Sequence, residues 1–388
     1  MMNLDFSAAQ RIKRFPCLDA ARGAACAGVV ACHCDLGHWF HWYWGVMDFF
    51  FVMSGFLITR SLVANCDKGR GVFPFLLYRA LRLLPAYVTV MLIYEITVLA
   101  LGIRQSFQTL PYLLFYQHTD LLLGRGEIFT RIPEFLPYWS LILEEHFYLF
   151  WGLFFCLFAY ARLRITVKTL GVAVLLLAGA AAMRKVGTDE WTLPGRFDGF
   201  LVGSLAGIMV FLPRKVCVPP KLVRPLIILL GLTTTAAAAR LVWTGWLSYV
   251  DIPRYGTGLW LDASCFALVS LSLVLAMVRI DMRGLHFGPL QDAFAYMGLV
   301  SYEIYLLHFP IVEFLKSHFS FNFDFGKFLL YAITLFTATL LSQIMHRTMT
   351  SPALRSREQL LAFISHRFRL TPWGNRHAPA TPITEKST

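Results

Sequence analysis

The sequence predicts an all-α integral membrane protein, with about ten transmembrane helices around a central intramembrane cavity. Hydrophobic residues make up 57% of its 388 residues and charged residues 15%, well below the roughly 25% that is usual in soluble domains. The mean hydropathy is +0.58. Such a chain has too few polar side chains to cover a water-facing surface, so its exterior must face lipid. These values exclude a soluble enzyme.

Apolar segments of about 20 residues, the length that crosses a bilayer, define the predicted spans. They are 15–34, 40–63, 83–102, 139–160, 166–183, 197–212, 224–243, 257–278, 294–315 and 327–346. A further apolar stretch, 107–123, is broken by Pro111 and is interpreted as interfacial or re-entrant. The basic N-terminus imitates a signal peptide, but Asp19 and Arg22 inside the first apolar run indicate a retained helix.

The charge distribution predicts the orientation in the membrane. The chain has 35 Lys and Arg against 23 Asp and Glu, a net charge of +12. With the N-terminus inside, cytoplasmic segments carry about three times as many Lys and Arg as outer segments, as the positive-inside rule requires. We therefore expect a cytoplasmic segment 1–14, a membrane domain 15–346 and a basic, partly disordered cytoplasmic tail 347–388, in a bacterial inner membrane. Because the positive charge is assigned to loops, no nucleic-acid partner is expected.

The first span carries an unusual set of polar residues. A charge in the bilayer costs about 2.5–3.5 kcal/mol on insertion scales unless it is paired or water-lined. Arg22 and His33 are eleven residues apart, which is about three helical turns and about 16 Å, so both lie on one stripe with Asp19. Either this stripe serves a reaction, or Asp19 and Arg22 form a structural ion pair and His33 only hydrogen-bonds.

A metal site is not expected in this region. The neighbouring residues Cys32, His33, Cys34, His38 and His41 include three consecutive positions. Consecutive side chains of a helix point to different sides and cannot converge on one tetrahedral ion. The eight cysteines also contain no CxxC pair, so neither a zinc knuckle nor a disulfide framework is indicated.

Six segments resemble, in order, the motifs of the membrane-bound acyltransferase 3 family. They are LDAARGAACAGVVACH (18–33), VMDFFFVMSGFLI (46–58), YRALRLLP (78–85), WSLILEEHFYL (139–149), RFDGFLVGSLAG (196–207) and SYEIYLLHFPI (301–311). The first contains an Arg and a His separated by ten residues, and the third an Arg-x-x-Arg pair. Each motif is weak alone, but the ordered set is hard to obtain by chance.

Two positions depart from the family pattern. Val46 stands where the family usually has Gly, which we ascribe to packing. His146 stands where the family usually has Gln, and it places a titratable ring beside Glu144 and Glu145. The division of roles among these three residues stays open.

The resemblance implies transfer of an acyl group, typically acetyl from acetyl-CoA, to a hydroxyl of a glycan or of another lipid-linked or small acceptor, without a metal. A hydroxyl is a poor nucleophile at neutral pH, and a positioned imidazole is the usual base, a role that fits His33. Glu144 or Glu145 would orient the ring, but the two point about 100° apart on a helix and only one can face it. Asp19 and Arg22 complete the catalytic candidates.

Arg79 and Arg82 are the candidates for binding the donor. They lie three residues apart at the cytoplasmic start of the third span, hence on one helix face. Guanidinium groups bind phosphate in bidentate fashion, so this pair could hold the nucleotide of acyl-CoA at the inner surface while the pantetheine arm extends towards His33. Alternatively, the two arginines only anchor the helix at the membrane surface.

Other polar residues of the motifs are candidates for lining the cavity or binding the acceptor. Among them, Tyr305 and His308 form one stripe with Ser301 on the ninth predicted helix. Asp48 could instead tie helices together, and Arg196 with Asp198 could be a structural pair. The full set is Asp48, Ser54, Trp139, Ser140, His146, Arg196, Asp198, Tyr305 and His308.

The rival prediction is a secondary transporter or exporter, which would also place charges and a cavity in the membrane. A transporter would more naturally have Gly- or Pro-broken helices in matching halves, and the halves of this sequence do not match. A scaffolding protein would not need Asp19, Arg22, Glu144, Glu145 and His308 in lipid. The sequence predicts neither the acceptor nor the oligomeric state.

Overall fold

A computed structural model of the protein describes residues 14–36, 43–67, 72–100, 137–160, 193–211, 220–243, 259–321 and 323–367. The described residues contain helices and no strand, which confirms the all-α class. The helices are α1 (Pro16–Ala31), α2 (Tyr43–Asp67), α3 (Phe73–Ala100), α4 (Trp139–Tyr160), α5 (Leu193–Phe211), α6 (Pro220–Trp243), α7 (Leu259–Met282), α8 (Pro289–Leu299), α9 (Ser301–His318), α10 (Asp324–Met345), α11 (Ser351–Arg355) and α12 (Arg357–Arg367). Two five-residue π-helical turns, Cys32–Leu36 and His346–Thr350, follow α1 and α10.

Helices occupy the predicted spans wherever the structure describes them, whereas 166–183 and 107–123 lie outside the described residues. Within the described part, four helices are long and apolar enough to cross a membrane, or five if α8 and α9 count as one bent span. The outer face of α10 exposes Phe325 and Phe336 at 73% and 72%, as a lipid-facing helix does. The protein is therefore a helical integral membrane protein, but this count does not reach ten.

The predicted span 294–315 is not one straight helix. It contains α8 and α9, which meet at Val300 at an angle of 76°. Val300 has φ −99° and ψ 13°, outside the α-helical well, and the Ser301 hydroxyl donates to the Gly298 carbonyl at 3.0 Å. The break therefore starts α9 at Ser301, the first residue of the predicted polar stripe.

The third helix also begins earlier than predicted. Helix α3 starts at Phe73 instead of near residue 83, so Arg79 and Arg82 lie inside it. Pro85, which has no N–H to donate to the preceding turn, lies within α3 without ending it. The hydroxyl of Thr89 donates to the Pro85 carbonyl at 2.7 Å, an added bond across this turn. The predicted span 83–102 covers only the apolar part of α3, and Arg79 and Arg82 precede that part on the same helix.

Two glycines allow α2 and α5 to approach closely. A Cβ on Gly203 of α5 would overlap the Val52 carbonyl of α2, and one on Gly55 of α2 would overlap the Phe200 carbonyl of α5. Small residues of this kind stabilise helix packing in lipid, where no hydrophobic effect drives association. Gly55 of the predicted second-helix motif thus serves packing.

The start of α1 is fixed by other segments of the chain. Pro16 takes the first helical position, which suits its fixed φ and missing N–H. The carboxylate of Asp281, from the end of α7, accepts from the free N–H groups of Cys17 at 2.9 Å and Leu18 at 3.4 Å. Gly298 of α8 lies against the carbonyl of Asp19, so α8 closely contacts the stripe that begins there.

The segment after the last predicted span is helical in its described part. Helices α11 and α12 pack against α3. The buried carboxylate of Glu303 on α9 anchors the preceding π-helical turn, because it bonds His346 Nδ1 and the Thr350 hydroxyl, each at 2.9 Å. Residues 368–388 lie outside the described residues.

Candidate active site

A cavity of about 580 Å³ lies between α1, α2, α3, α4, α9 and α12. Among its described lining residues, arginines outnumber carboxylates six to two. The arginines are Arg14, Arg22, Arg60, Arg79, Arg82 and Arg357, and the carboxylates are Asp19 and Glu144. The arginines lie near the start of α1, the end of α2 and the start of α3, which is the predicted cytoplasmic side. The inner end of the cavity is therefore strongly positive.

The predicted pairing of Asp19 with Arg22 is present. Arg22 Nη1 lies 3.7 Å from Asp19 Oδ1, and Arg14 Nε donates to Asp19 Oδ2 at 2.6 Å. Asp19 thus neutralises part of the charge of two guanidinium groups. Since Arg14 holds the carboxylate at the shorter distance, Arg22 keeps donors that can serve a ligand in the cavity.

Arg79 and Arg82 both line the cavity, as one helix face requires. The Arg79 guanidinium lies over the rings of Tyr148 at 4.8 Å and Phe75 at 5.5 Å, and this stacking fixes its plane. Its Nε is buried and has no hydrogen-bond partner in the part of the chain that the structure describes. A buried donor without a partner is costly, and an anionic ligand would satisfy it.

Glu144 is the member of the acidic pair that lines the cavity. It accepts hydrogen bonds from the Ser54 hydroxyl at 2.7 Å and from the Tyr148 hydroxyl at 2.5 Å. Glu145 and His146 are not among the lining residues, and His146 is about 200° round α4 from Glu144. These bonds of Glu144 go to α2 and to its own helix, so the prediction that one of the two glutamates orients His33 stays a prediction.

Ser140 and Tyr305 line the far end of the cavity, together with Ser301. Their hydroxyls are 2.8 Å apart, and the Tyr305 hydroxyl donates to the Pro137 carbonyl at 2.9 Å. This leaves the Ser140 hydroxyl to donate to Tyr305 or to Pro137, which it contacts at 3.2 Å. The network joins α4 to α9 one helical turn before His308.

His33 is positioned by a distortion of the backbone. It lies in the five-residue turn Cys32–Leu36 that ends the first span, where the chain is kinked and Cys34 has φ −88° and ψ 22°, outside the helical range. Two residues later, Asp35 has φ 60°, a left-handed conformation that costs energy for a non-glycine residue. Lys316 of α9 stabilises it, because its Nζ lies 2.6 Å from the Asp35 carboxylate and donates to the His33 carbonyl at 3.2 Å.

The ring of His33 packs against α9 instead of against Glu144. Its centroid is 5.2 Å from that of His308 and 4.9 Å from that of Phe309, which meets it edge-on. His308 is fully buried, and its Nδ1–H donates to the Tyr305 carbonyl at 2.7 Å. Its Nε2 is also buried and has no hydrogen-bond partner among the described residues. Neither imidazole is among the cavity's lining residues; both lie one turn beyond Tyr305.

Four other candidates form structural contacts outside this cavity. Arg196 donates to both carboxylate oxygens of Asp48 at 3.2 and 3.1 Å, and both side chains are buried. This pair joins α5 to α2. Asp198 accepts from the Ser264 hydroxyl of α7 at 3.1 Å, and Trp139 packs edge-on against Phe51. Arg196 therefore bonds Asp48 and Asp198 bonds Ser264, whereas the Arg196–Asp198 pair, one of the two alternatives from the sequence, stays a prediction.

Several residues of the site were missed at the level of sequence. Arg60 lies over the rings of Phe15 and Phe211, at 4.5 and 5.4 Å. Arg357 and Lys316 reach the site from segments distant in sequence. No local pattern marks such residues, since the positive-inside rule explains every arginine at the inner surface equally well.

The described residues contain no group of three or more His, Cys, Asp or Glu side chains placed to hold a metal ion. Cys32, His33 and Cys34 follow one another in the π-helical turn, whereas His38 and His41 lie outside the described residues.

The sequence of this chain matches a known protein family. The family described as an acyltransferase domain, Acyl_transf_3, matches residues 15–347. The chain is similar to a protein of Staphylococcus aureus (strain COL) named "Putative O-acetyltransferase SACOL0978", with 25% identity over 337 residues, 81% of this chain and 53% of that protein. It is also similar to the peptidoglycan O-acetyltransferase OatA of Listeria monocytogenes, with 26% identity over 336 residues, 77% of this chain and 50% of OatA.

The chain spans about half the length of these curated relatives. No solved structure matches it. Because the family match, residues 15–347, covers most of the chain and the helices that line the cavity up to α9, this chain belongs to the membrane acyltransferase 3 family.

Proposed function

We propose that the protein is a membrane O-acyltransferase that moves an acyl group, acetyl in the simplest case, from acyl-CoA to a hydroxyl of a glycan or other cell-surface acceptor. One observation carries this proposal. A single cavity connects an arginine-rich inner end to Ser140 and Tyr305, one helical turn from the two histidines. This arrangement suits a donor with a multiply charged head and a thin reactive arm.

The inner end fits the phosphates of coenzyme A. Arg79 and Arg82 offer forked donors from one face of α3, and Arg22 lies on the facing helix α1. The charged nucleotide cannot enter lipid and stays at this surface, while the pantetheine arm follows the cavity past Glu144. Glu144 offsets part of the positive charge and holds the Ser54 and Tyr148 hydroxyls in place.

His33 is the proposed general base. It removes the proton of the acceptor hydroxyl, the oxygen attacks the thioester carbonyl, and the carbon–sulfur bond breaks as the coenzyme A thiolate leaves and takes up a proton. His308 is the proposed positioning residue. Because its Nδ1–H is held by the Tyr305 carbonyl, its Nε2 carries the lone pair that can accept from a neighbouring imidazole and fix its tautomer.

The acceptor, the orientation and the span number belong to the same proposal. The name of the Listeria relative favours a glycan acceptor. We propose ten spans with both termini cytoplasmic, in a bacterial inner membrane, on the positive-inside distribution. Reporter fusions at the C-terminus and in the 184–195 segment test the orientation. A cytoplasmic C-terminus and an external 184–195 segment are expected, and two reporters on the same side contradict it.

Transfer by the purified protein distinguishes an enzyme from the rival, a transporter or exporter. Detergent micelles have no two compartments, so a transporter has no measurable reaction there. With acetyl-CoA radiolabelled in the acetyl group and a soluble glycan fragment, the proposal predicts labelled glycan and free coenzyme A. Mass spectrometry of surface glycans from cells with and without the gene identifies the acceptor. No acyl mass lost on deletion, together with no transfer in micelles, contradicts the proposal.

A further inference from the structure

The C-terminal helix α12 brings an arginine to the donor cavity from outside the region that defines the family. The family match ends at residue 347, whereas Arg357 is the first residue of α12. Arg357 nevertheless lines the same cavity as Arg79 and Arg82. In the sequence, Arg357 belongs only to the predicted basic cytoplasmic tail. Its place in the cavity therefore requires a separate explanation.

Arg357 is held in a defined position. Its guanidinium carbon lies 5.2 Å from the centroid of the Tyr78 ring, which precedes Arg79 on α3 and also lines the cavity. The helices α11 and α12 pack against α3. The turn before them is bonded to the buried carboxylate of Glu303, so the whole segment is attached to the membrane domain at two places.

The guanidinium has hydrogen-bonding capacity to spare. Its Nε is buried and has no hydrogen-bond partner among the described residues, as is also the case for Arg79 Nε. Its ion pair with Glu358 spans 3.9 Å, and Glu358 is 65% exposed, so this contact stabilises little. Two buried guanidinium nitrogens without partners therefore border one positive cavity, from two different segments. An anion bound between them would satisfy both.

We propose that Arg357 binds a phosphate of the donor together with Arg79 and Arg82, and that α12 thereby forms one wall of the donor site. This inference rests on the proposed function, because it takes acyl-CoA as the donor. A donor with several phosphates matches a site with arginines from separate segments better than a single-phosphate ligand does.

The test compares Arg357→Gln with Arg355→Gln in the full-length protein in detergent. Arg355 is exposed, is not a lining residue and lies two residues away, so its substitution removes the same charge from the same segment. Coenzyme A affinity is measured by calorimetric titration, and acetyl transfer is measured from acetyl-CoA and from acetyl-pantetheine, which lacks the nucleotide. Arg357→Lys is included as a variant that keeps the charge but loses the fork.

Arg357→Gln should weaken coenzyme A binding about tenfold or more, with Arg357→Lys between it and the wild type and Arg355→Gln unchanged. Transfer from acetyl-pantetheine should not change in any of them, which also shows that the variants are folded. Equal coenzyme A affinity for wild type and Arg357→Gln, or equal losses for the 355 and 357 variants, overturns the inference alone. Binding of added anionic phospholipid is measured as well. If Arg357→Gln loses phospholipid binding but keeps coenzyme A binding, the arginine binds a lipid phosphate, and this result also overturns the inference. A wild-type protein that does not bind coenzyme A overturns the proposed donor as well.

Discussion

The inner end of the cavity is lined by long, charged side chains from separate segments. The region around His33 and His308, which lies beyond the cavity and is named the histidine end, is instead built from a distorted backbone and packed rings. At the inner end, Arg79 and Arg357 are fixed by stacking on tyrosines and keep nitrogens without partners. At the other end, Lys316 holds the carbonyl of His33, and the ring lies against His308. The first end suits a tightly bound charged head, and the second suits a group whose exact position matters. Substitutions at the two ends should therefore change different measurements.

The largest effect is expected at the histidine end. His33→Gln should lower acetyl transfer by about 10²–10⁴-fold, because glutamine can hydrogen-bond at similar size but cannot take a proton at neutral pH. Transfer per folded protein is measured with acetyl-CoA and a glycan fragment. His318→Gln is the matched control, since His318 is exposed at the end of the same helix α9 that carries His308. Substantial activity in well-expressed His33→Gln protein would end the general-base proposal and move the role to His146.

At the inner end, the double substitution Arg79→Ala and Arg82→Ala should raise the KM for acetyl-CoA strongly and leave the rate with acetyl-pantetheine unchanged. Each charge-assisted hydrogen bond to phosphate contributes about 1.5–3 kcal/mol, so the pair accounts for several kcal/mol. The effect should shrink as ionic strength rises. Arg283→Ala, at an exposed arginine of the same predicted side and outside the cavity, is the control. An unchanged KM would mean that the two arginines only anchor α3.

The buried ion pair between Asp48 and Arg196 belongs to neither end, so its loss should change stability and not the reaction. Asp48→Ala removes the partner of Arg196 and leaves a buried charge, which costs about 3–5 kcal/mol of stability. Thermal unfolding in detergent should show the loss, while the protein that remains folded should keep its KM and its transfer rate. If Asp48→Ala instead lost affinity for the acceptor and kept its stability, Asp48 would belong to the acceptor-binding site.

The smallest effect is expected for the positioning residue. His308→Asn should reduce transfer about tenfold, because His33 keeps its proton chemistry but loses the neighbour that fixes its ring. The pH profile of the rate should also shift, which a purely structural role would not produce. A tenfold loss accompanied by an equal loss of folded protein, with an unchanged profile, would show that His308 only packs.

Local geometry explains which parts of the site could be predicted from the sequence. Asp19 and Arg22 are three residues apart on one helix, so their pairing follows from helical spacing. Ser54, Ser140 and Tyr305 line the cavity, and polar residues in apolar spans are expected to face away from lipid. The expectations for these residues rest only on helical periodicity and side-chain polarity.

The rest of the site depends on tertiary contacts that spacing does not encode. His33 and His308 are in contact although they lie far apart in sequence. Their contact depends on the turn Cys32–Leu36, which no residue pattern predicts. Asp48 pairs with Arg196 across two helices, although Asp198 is the nearer acid in sequence. Arg357 reaches the cavity only because α12 folds back on α3.

The separation of donor binding at the inner end from chemistry at the histidine end is tested most directly by one set of titrations. Coenzyme A is titrated into wild type, His33→Gln and the Arg79→Ala, Arg82→Ala double variant in the same detergent and salt. Our account predicts that His33→Gln binds coenzyme A as the wild type does, and that the double variant binds it at least a hundredfold more weakly. Equal affinity in the double variant, or a comparable loss in His33→Gln, would contradict the separation of donor binding from chemistry.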